Sequence, residues 1–219
     1  MILAAGRGER MRPLTDTVPK PLLEAGGKPL IVWHVERLAQ AGFTELVINH
    51  AHLGALIERR LGDGGRYGVT IRYSPEAEAL ETAGGIANAL PLLGGEPFLV
   101  VNGDVYCEMD FASLALNGDE DAFLALVDNP PQHPGGDFAL AGGKVLAEGA
   151  HKLTFSGIGV YRPELFAGIA RGAKAKLAPL LRERMALGQV GGIRFRGRWE
   201  DVGTPERLRR LDEELRGRA

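Results

Sequence analysis

Apolar residues in the first half of the chain follow two alternating patterns. Short continuous apolar runs are typical of strands buried on both faces, whereas Ile31, Val35 and Leu38 recur at helical spacing. The predicted strands of this half are residues 1–4, 46–49, 69–73 and 98–101, and the predicted helices are residues 30–41, 53–61 and 86–93. Strands that alternate with helices indicate βαβ units. We therefore predict an α/β fold with a Rossmann-like, mostly parallel sheet flanked by helices.

The second half of the chain is less regular. Its predicted strands are residues 122–127, 138–140, 144–147 and 153–161, and its predicted helices are residues 163–171, 177–187 and a last helix that ends near residue 216. Thr204 is a good N-cap for that last helix, with Pro205 as its first residue. Neither an internal repeat nor a linker is evident, so we expect a single domain over residues 1–219.

Composition narrows the class of partner. Hydrophobic residues make up 45% of the chain and charged residues 25%, which is typical of a globular domain. The net charge of −2 gives no electrostatic reason to expect nucleic acid or an anionic membrane as partner. No apolar run approaches the roughly 20 residues that a membrane helix needs. Cys107 is the only cysteine, and the N-terminus shows no signal-peptide pattern, so we expect a cytoplasmic protein.

The first predicted strand leads directly into a glycine-rich loop. Small residues from Ala4 to Gly8 allow backbone amides to approach an anion closely. The loop is not a P-loop, because no Gly-Lys-Ser/Thr follows it. It is not the dinucleotide-binding fingerprint either, because Met11 stands where the third glycine belongs.

Basic residues accompany this loop. Arg7, Arg10 and Arg12 lie within six residues, and Lys20 stands between two prolines that restrict its backbone. Fixed cations beside a glycine loop are what a highly charged triphosphate requires. The segment therefore predicts a phosphate-binding loop.

Residues 3–15 resemble the signature of the sugar-nucleotide pyrophosphorylases, a nucleotidyltransferase family. Its pattern is Leu-Ala-Ala-Gly-x-Gly-x-Arg-[Met/Leu]-x-Pro-Leu-Thr, followed by Pro-Lys-Pro. The resemblance continues through Val-Asn-Gly-Asp at residues 101–104 and Trp-Glu-Asp-Val-Gly-Thr-Pro at residues 199–205. It implies the nucleotide-diphospho-sugar transferase fold and Mg²⁺-dependent transfer of a nucleotidyl group to a sugar 1-phosphate.

Within this family, several stretches are most similar to the small uridylyltransferases that act on N-acetylmuramate 1-phosphate. These stretches are residues 46–51, 80–86, 127–130, 136–138 and 153–158. The similarity implies UTP as the nucleotide substrate and a role in peptidoglycan recycling. His133, Lys144 and Lys152 lie near the last of these stretches and are candidates to approach the sugar's carboxylate.

The resemblance also implies roles for individual residues. It makes Arg10 and Lys20 the catalytic cations that act on the triphosphate. The nucleotide-binding residues that it implies are Ala5, Gly6, Gly8, Glu9, Arg10, Lys20, Glu81 and Thr82. The residues that it implies on the sugar phosphate side are Asn102, Asp104, Asp137 and Ser156.

Two aspartates far apart in sequence are the candidate metal ligands. Asp104 ends an apolar strand and Asp201 precedes the last helix, so from spacing alone each could be an ordinary turn or cap residue. The resemblance implies that both hold the metal. Magnesium prefers oxygen ligands and commonly uses one or two carboxylates plus substrate phosphates. We therefore expect Asp104 and Asp201 to meet at one edge of the sheet and to bind Mg²⁺.

Two other functions remain open at this point. The same chemistry could join dTTP or UTP to glucose 1-phosphate, or GTP to mannose 1-phosphate. A nucleotide-sugar sensor would bind without turnover, although a pure binder need not keep Arg10, Lys20, Asp104 and Asp201 together. The five histidines show no zinc-like spacing, so we assign them structural or surface roles. We expect small-molecule substrates as partners, and a monomer or small homo-oligomer.

Overall fold

Thirteen strands and five helices form the part of the chain that the computed structural model describes, residues 1–218. The strands are β1 (Ile2–Leu3), β2 (Glu24–Ala25), β3 (Lys28–Pro29), β4 (Glu45–His50), β5 (Thr70–Pro75), β6 (Phe98–Asn102), β7 (Val105–Cys107), β8 (Ala122–Val127), β9 (Phe138–Ala141), β10 (Lys144–Leu146), β11 (Lys152–Tyr161), β12 (Val190–Arg194) and β13 (Trp199–Asp201). The helices are α1 (Leu30–Gln40), α2 (Gly54–Leu61), α3 (Glu81–Leu93), α4 (Leu177–Ala186) and α5 (Pro205–Arg216).

Nine strands form one sheet in the order β5-β4-β1-β6-β11-β8-β12-β10-β9. In its first half, β5, β4, β1 and β6 are all parallel to their neighbours. Helices α1, α2 and α3 connect these strands, as the alternating pattern predicts. The predicted α/β class with flanking helices is therefore confirmed.

The second half of the sheet departs from a mostly parallel arrangement. Strand β11 lies antiparallel between β6 and β8, and β10 is antiparallel to both β9 and β12, so only β8 and β12 pair in parallel there. Gly142 and Gly143 join β9 to β10, with φ angles of 57° and 77°. Such a two-residue turn makes a hairpin, whereas a parallel connection needs a long crossover. The sheet as a whole is mixed.

Successive residues of the central strands face opposite sides of the sheet. Ile48 and Val101 pack with α1 and α2 in one hydrophobic cluster, whereas Val47 and Val100 pack with α3 and α4 in another. Two-sided burial explains the continuous apolar run within each of these strands. The carboxyl ends of β1, β4 and β6 are thus held at one rigid edge.

Two short ribbons, β2–β3 and β7–β13, stand outside the main sheet. Helix α5 packs on both of them through a third cluster that contains Ala25, Leu30, Tyr106, Val202, Leu211 and Leu215. The side chain of Thr204 accepts a hydrogen bond from the backbone N of Arg207 over 3.3 Å, so the predicted N-cap of α5 is confirmed.

Some predicted elements differ from those in the structure. The predicted helix at residues 163–171 is wrong, because only a 3₁₀ turn forms at Pro163–Phe166. Gly168 and Gly172 lower the helix propensity of the following segment. Helix α3 begins at Glu81, five residues before the predicted start at residue 86. Within residues 1–218, no helix is both long and apolar enough to cross a membrane.

Candidate active site

The loops that follow β1 and β6 lie side by side at the carboxyl end of the sheet. Strands β1 and β6 are parallel neighbours, with Leu3 opposite Asn102. The backbone N of Gly103 donates a hydrogen bond to the carbonyl of Leu3 over 2.8 Å. Ligands of open α/β sheets bind at this edge, so the two loops that stand out in the sequence form one candidate site.

Gly8 and Thr15 close the loop after β1. The buried hydroxyl of Thr15 donates to the carbonyl of Gly8 over 2.9 Å. Gly8 has a φ of 70°, and a Cβ at this position would lie 3.2 Å from Cβ of Lys20. Glycine tolerates this left-handed backbone and allows the loop to pack directly on Lys20.

The three arginines of this loop have different surroundings. Arg7 donates to the carbonyl of Thr15 over 2.7 Å, and Arg12 donates to Oδ1 of Asp16 over 2.8 Å. Arg10 makes no hydrogen bond or ion pair with any residue from 1 to 218, and its side chain approaches Gly203. Arg10 is therefore the arginine whose guanidinium is available to a ligand.

A pocket of about 330 Å³ opens between this loop and the start of α3. The predicted nucleotide-binding residues that line it are Ala5, Gly6, Lys20, Glu81 and Thr82. Gly8 lies behind Lys20, and exposed Glu9 lies 3.6 Å from Arg12, so neither belongs to this lining. Arg10, whose guanidinium approaches Gly203, does not line it either. Glu81 has a φ of 63°, an uncommon backbone conformation for a residue other than glycine.

Asn49 and Glu76, which were not predicted for the site, connect the two walls of this pocket. Oδ1 of Asn49 accepts from the backbone N of Ala4 over 2.9 Å, and its Nδ2 donates to Oε1 of Glu76 over 2.6 Å. Oε2 of Glu76 accepts from the backbone N of Leu80 over 3.0 Å. A Cβ at Gly85 would lie 2.8 Å from both side chains, so this glycine makes room for the pair. The signal in the sequence is that Asn49 stands near the carboxyl end of β4 and Glu76 directly follows β5.

The ribbon β7–β13 brings the two candidate metal ligands together. Asp201 is opposite Val105 in the ribbon, and the backbone N of Val202 donates to the carbonyl of Asp104 over 3.0 Å. Both carboxylates line a second pocket of about 290 Å³. The structure therefore places Asp104 and Asp201 side by side, on the ribbon next to the carboxyl end of β6.

Each carboxylate is held by a buried cation through one oxygen. Lys20 lies 2.7 Å from Oδ2 of Asp104, and Arg207 lies 2.6 Å from Oδ2 of Asp201. Oδ1 of each aspartate has no hydrogen-bond partner within residues 1–218. The same residues contain no group of three or more His, Cys, Asp or Glu side chains that could hold a metal by itself. Two free carboxylate oxygens fit a hard cation that takes its other ligands from substrate phosphates.

Helix α1 fixes the other edge of β7. Nε2 of His34 donates to the carbonyl of Val105 over 2.7 Å, and Arg37 donates to the carbonyl of Cys107 and, over 2.9 Å, to the hydroxyl of Tyr106. Burial lowers the pKa of His34 to about 4, so its ring is neutral at neutral pH. Since a carbonyl only accepts hydrogen bonds, the hydrogen of the neutral ring is on Nε2. We call His34 and Arg37 the α1 clamp.

The second pocket continues from the first across Asn102 and Asp104, which line both. Asp137 also lines it, with Oδ2 accepting from the backbone N of Phe155 over 2.8 Å and Oδ1 lying 3.1 Å from Nε2 of His133. The structure thus brings three of the four predicted sugar-side residues together with accessible polar groups.

Ser156, the fourth of these residues, lines the pocket with a fully buried side chain. Its hydroxyl donates to the carbonyl of Ala125 over 2.7 Å and accepts from the backbone N of Ile158 over 3.2 Å. Gly157 follows with a φ of 78°, and a Cβ there would lie 2.5 Å from Nδ2 of Asn102. The hydroxyl of Ser156 is therefore used to hold the bulge in β11 beside Asn102.

Cys107 and the remaining histidines contribute no nucleophile or metal centre in the described chain. Burial raises the pKa of Cys107 to about 11, which keeps its thiol protonated. His50 lies 2.7 Å from Glu58, and Nε2 of His52 lies 3.2 Å from the carbonyl of Thr15. These contacts agree with the structural roles predicted for His50 and His52.

Comparison with known proteins defines the family. The model of the nucleotidyl transferase family matches residues 1–140, and the chain belongs to this family. It is 60% identical, over 95% of its length and 94% of the relative, to the N-acetylmuramate alpha-1-phosphate uridylyltransferase of Neisseria meningitidis serogroup B. The enzyme of that name from Caulobacter vibrioides is 35% identical over 94% of this chain and 92% of the relative.

Comparison with solved structures defines the fold. A Bacillus anthracis structure described as a glucose-1-phosphate thymidylyltransferase superposes with a TM-score of 0.86 and 23% identity. The match covers 98% of this chain and 94% of that one. The predicted nucleotide-diphospho-sugar transferase fold is thereby confirmed.

Proposed function

We propose that this chain transfers the uridylyl group of UTP to N-acetylmuramate 1-phosphate, giving UDP-N-acetylmuramate and pyrophosphate. The geometry that supports the proposal is the pair of pockets that meet at Asn102 and Asp104. One pocket begins at the phosphate loop and the other ends at Asp137 and His133, so two phosphorylated substrates can meet between them. The two uridylyltransferases to which the chain is similar support the choice of base and sugar.

The reaction is a single displacement at phosphorus. An oxygen of the sugar 1-phosphate forms a bond to the α-phosphorus of UTP, and the bond from that phosphorus to the oxygen bridging to the β-phosphate breaks. The electron pair of the broken bond leaves with pyrophosphate. A phosphate oxygen is already ionised at neutral pH, so the site needs no general base. Its tasks are to align two polyanions and to stabilise negative charge in the transition state.

Asp104 and Asp201 would hold Mg²⁺ through their free Oδ1 atoms. Bound there, the ion would offset phosphate charge and act as a Lewis acid toward the α-phosphate. Lys20 and Arg207 hold the opposite oxygens of the two carboxylates. These cations orient the carboxylates and limit their repulsion before any ligand arrives.

The phosphate loop supplies the remaining positive charge. The guanidinium of Arg10 pairs with no residue from 1 to 218. We assign to Arg10 and Lys20 the role of offsetting the negative charge of the triphosphate and of the departing pyrophosphate. The backbone at Ala5 and Gly6 lines the pocket and can approach the phosphates closely. Glu81 and Thr82 at the start of α3 contact the nucleoside in this proposal, and Asn102 and Asp137 contact the sugar.

The proposal is tested with a grid of nucleoside triphosphates against sugar 1-phosphates, with pyrophosphate release as the readout. We expect UTP with N-acetylmuramate 1-phosphate to give the highest kcat/KM. A maximum for glucose 1-phosphate with dTTP, or mannose 1-phosphate with GTP, would retain the reaction and change the substrates. Binding of UTP without pyrophosphate release for any pair in the presence of Mg²⁺ would favour a sensor.

A further inference from the structure

Three carboxylates line the pocket on the sugar side, and two of them, those of Asp104 and Asp201, are paired with Lys20 and Arg207. Asp137 carries the third, and among the described lining residues His133 is the only side chain that can carry a positive charge. N-acetylmuramate differs from N-acetylglucosamine by a lactyl ether, which adds a second anionic group to the sugar phosphate. A carboxylate that enters an acidic pocket needs a cation or hydrogen-bond donors to compensate for lost water.

The other two cations of this region, Lys144 and Lys152, pair with carboxylates outside the pocket. Nζ of Lys144 lies 2.8 Å from Oε1 of Glu120, a carboxylate that is almost fully buried. Nζ of Lys152 lies 2.8 Å from Oε2 of Glu148. Neither lysine belongs to the lining of the pocket. Of the three candidates in the sequence, only His133 lines this pocket.

The ring of His133 has one nitrogen engaged and one available. Nε2 lies 3.1 Å from Oδ1 of Asp137, and because a carboxylate only accepts, this nitrogen carries the hydrogen. Nδ1 has no hydrogen-bond partner in residues 1–218. An imidazolium donates from both nitrogens, so this ring can bridge Asp137 to a second carboxylate.

The loop that carries His133 has a fixed conformation. The backbone N of His133 donates to the carbonyl of Pro130 over 2.8 Å. Nδ2 of Asn129 donates to the carbonyls of Pro134 and Lys152 over 3.0 Å and 2.9 Å. A carboxylate therefore meets a ring whose position is set before binding, which limits the entropy lost on recognition.

We propose that His133 is the specificity-determining residue that binds the lactyl carboxylate, and that it selects an acidic amino sugar over its neutral counterpart. Asp137 orients the ring from the opposite side. This inference rests on the proposed function, because it concerns the sugar of that reaction.

The test compares the two product nucleotides, UDP-N-acetylmuramate and UDP-N-acetylglucosamine, which differ only in the lactyl group. Isothermal titration calorimetry gives the dissociation constant of each with the full-length wild type, His133→Ala and His133→Arg. We expect His133→Ala to weaken UDP-N-acetylmuramate at least about tenfold more than UDP-N-acetylglucosamine, since a hydrogen bond between charged groups is lost. His133→Arg, which restores a cation, should keep much of the preference.

Lys152→Gln is the matched control, because it removes a nearby cation that does not line the pocket. It should leave the ratio of the two dissociation constants unchanged. If His133→Ala weakens both ligands equally, or neither, the role of His133 is overturned while the proposed reaction stands. If the wild type binds both ligands equally well, the assignment of N-acetylmuramate as the sugar fails together with the role of His133.

Discussion

The ammonium group of Lys20 lies 2.7 Å from Oδ2 of Asp104, at the point where the two pockets meet. Lys20 is only 7% exposed, and a buried ammonium needs a counter-charge. The carboxylate therefore keeps the lysine in place before substrates bind. Because the same lysine lines the pocket that we assign to the nucleotide, an incoming phosphate would meet a cation that is already oriented.

The unpaired state of Arg10 leads to a prediction about charge. Arg10→Ala should lower kcat/KM by about two orders of magnitude or more, because a charged contact to the transition state is lost. Because Arg10 is exposed and makes no ion pair with residues 1–218, the Tm of the Arg10→Ala variant should stay near that of the wild type. Lys20→Ala should lower kcat/KM to a similar extent.

Arg12→Ala is the matched control for Arg10→Ala. Arg12 stands two residues away, is exposed, and is paired with Asp16 at 2.8 Å. Steady-state kinetics should show kcat/KM close to the wild-type value. Comparable losses in the two arginine variants would show that Arg10 has no particular role in the reaction.

Gly6 lines the nucleotide pocket, and a Cβ at this position would have no protein atom within 4 Å. Gly6→Ala should therefore fold normally but place a methyl group where the phosphates approach. We expect the KM for UTP to rise about tenfold, with little change in Tm. Gly95→Ala, where a Cβ also has open space, is the control outside the pocket. An unchanged KM in Gly6→Ala would indicate that the nucleotide does not follow this loop.

The two aspartates of the ribbon provide a test of the metal. Asp104→Asn and Asp201→Asn should each lower kcat/KM by about two orders of magnitude and raise the half-saturating concentration of Mg²⁺. Mn²⁺ binding followed by electron paramagnetic resonance gives a readout that does not depend on turnover. The surface variant Asp128→Asn, whose carboxylate pairs with Arg194, should change neither measurement. Wild-type Mn²⁺ binding in both ribbon variants would place the metal elsewhere.

The α1 clamp leads to a prediction about pH. Burial lowers the pKa of His34 from 6.5 to about 4, so between these values the unfolded chain binds more protons than the folded one. The contribution of His34 to the free energy of unfolding should therefore rise with pH across this window, by about 3 kcal/mol at most. His34→Gln lacks this titration and retains a donor for the carbonyl of Val105.

Urea unfolding of the wild type and His34→Gln at several pH values across that window measures the difference. His34→Leu removes the donor and leaves the carbonyl of Val105 without its partner. Because Val105 begins β7 and directly follows Asp104, this variant should also weaken Mn²⁺ binding. His34→Gln should preserve that binding. Parallel stability curves for the wild type and His34→Gln would show that His34 is not buried in its neutral form.

The sequence predicts the strands and helices in the first half of the fold well, because the local pattern of apolar residues determines them. Two-sided burial accounts for the continuous apolar runs at residues 46–48 of β4 and 98–101 of β6, and helical spacing marks α1. The strands missed by the sequence lack such a pattern. Each strand of the β7–β13 ribbon has three residues, too few for periodicity, and β12 contains Gly191 and Gly192 in its centre.

The residues of the candidate site that stand in a recognisable sequence motif could be predicted from the sequence. The carboxylates Asp104 and Asp201 stand in recognisable segments, and the structure brings them together. Asn49 and Glu76 were missed because their role depends on a hydrogen-bonded chain from Ala4 to Leu80. Likewise, only three-dimensional contacts reveal that Asp16 engages Arg7 and Arg12 and leaves Arg10 free in the described chain.

The three-residue pairing of β7 with β13 joins Asp104 to Asp201 across almost a hundred positions of sequence. The lining of the first pocket ends at Asp104, whereas Asp201 is held beside it by this short pairing and by the helix that packs behind it. Opening of the ribbon alone would therefore separate the two carboxylates and leave the first pocket in place, so the integrity of the second pocket depends on a long-range contact that the first does not need.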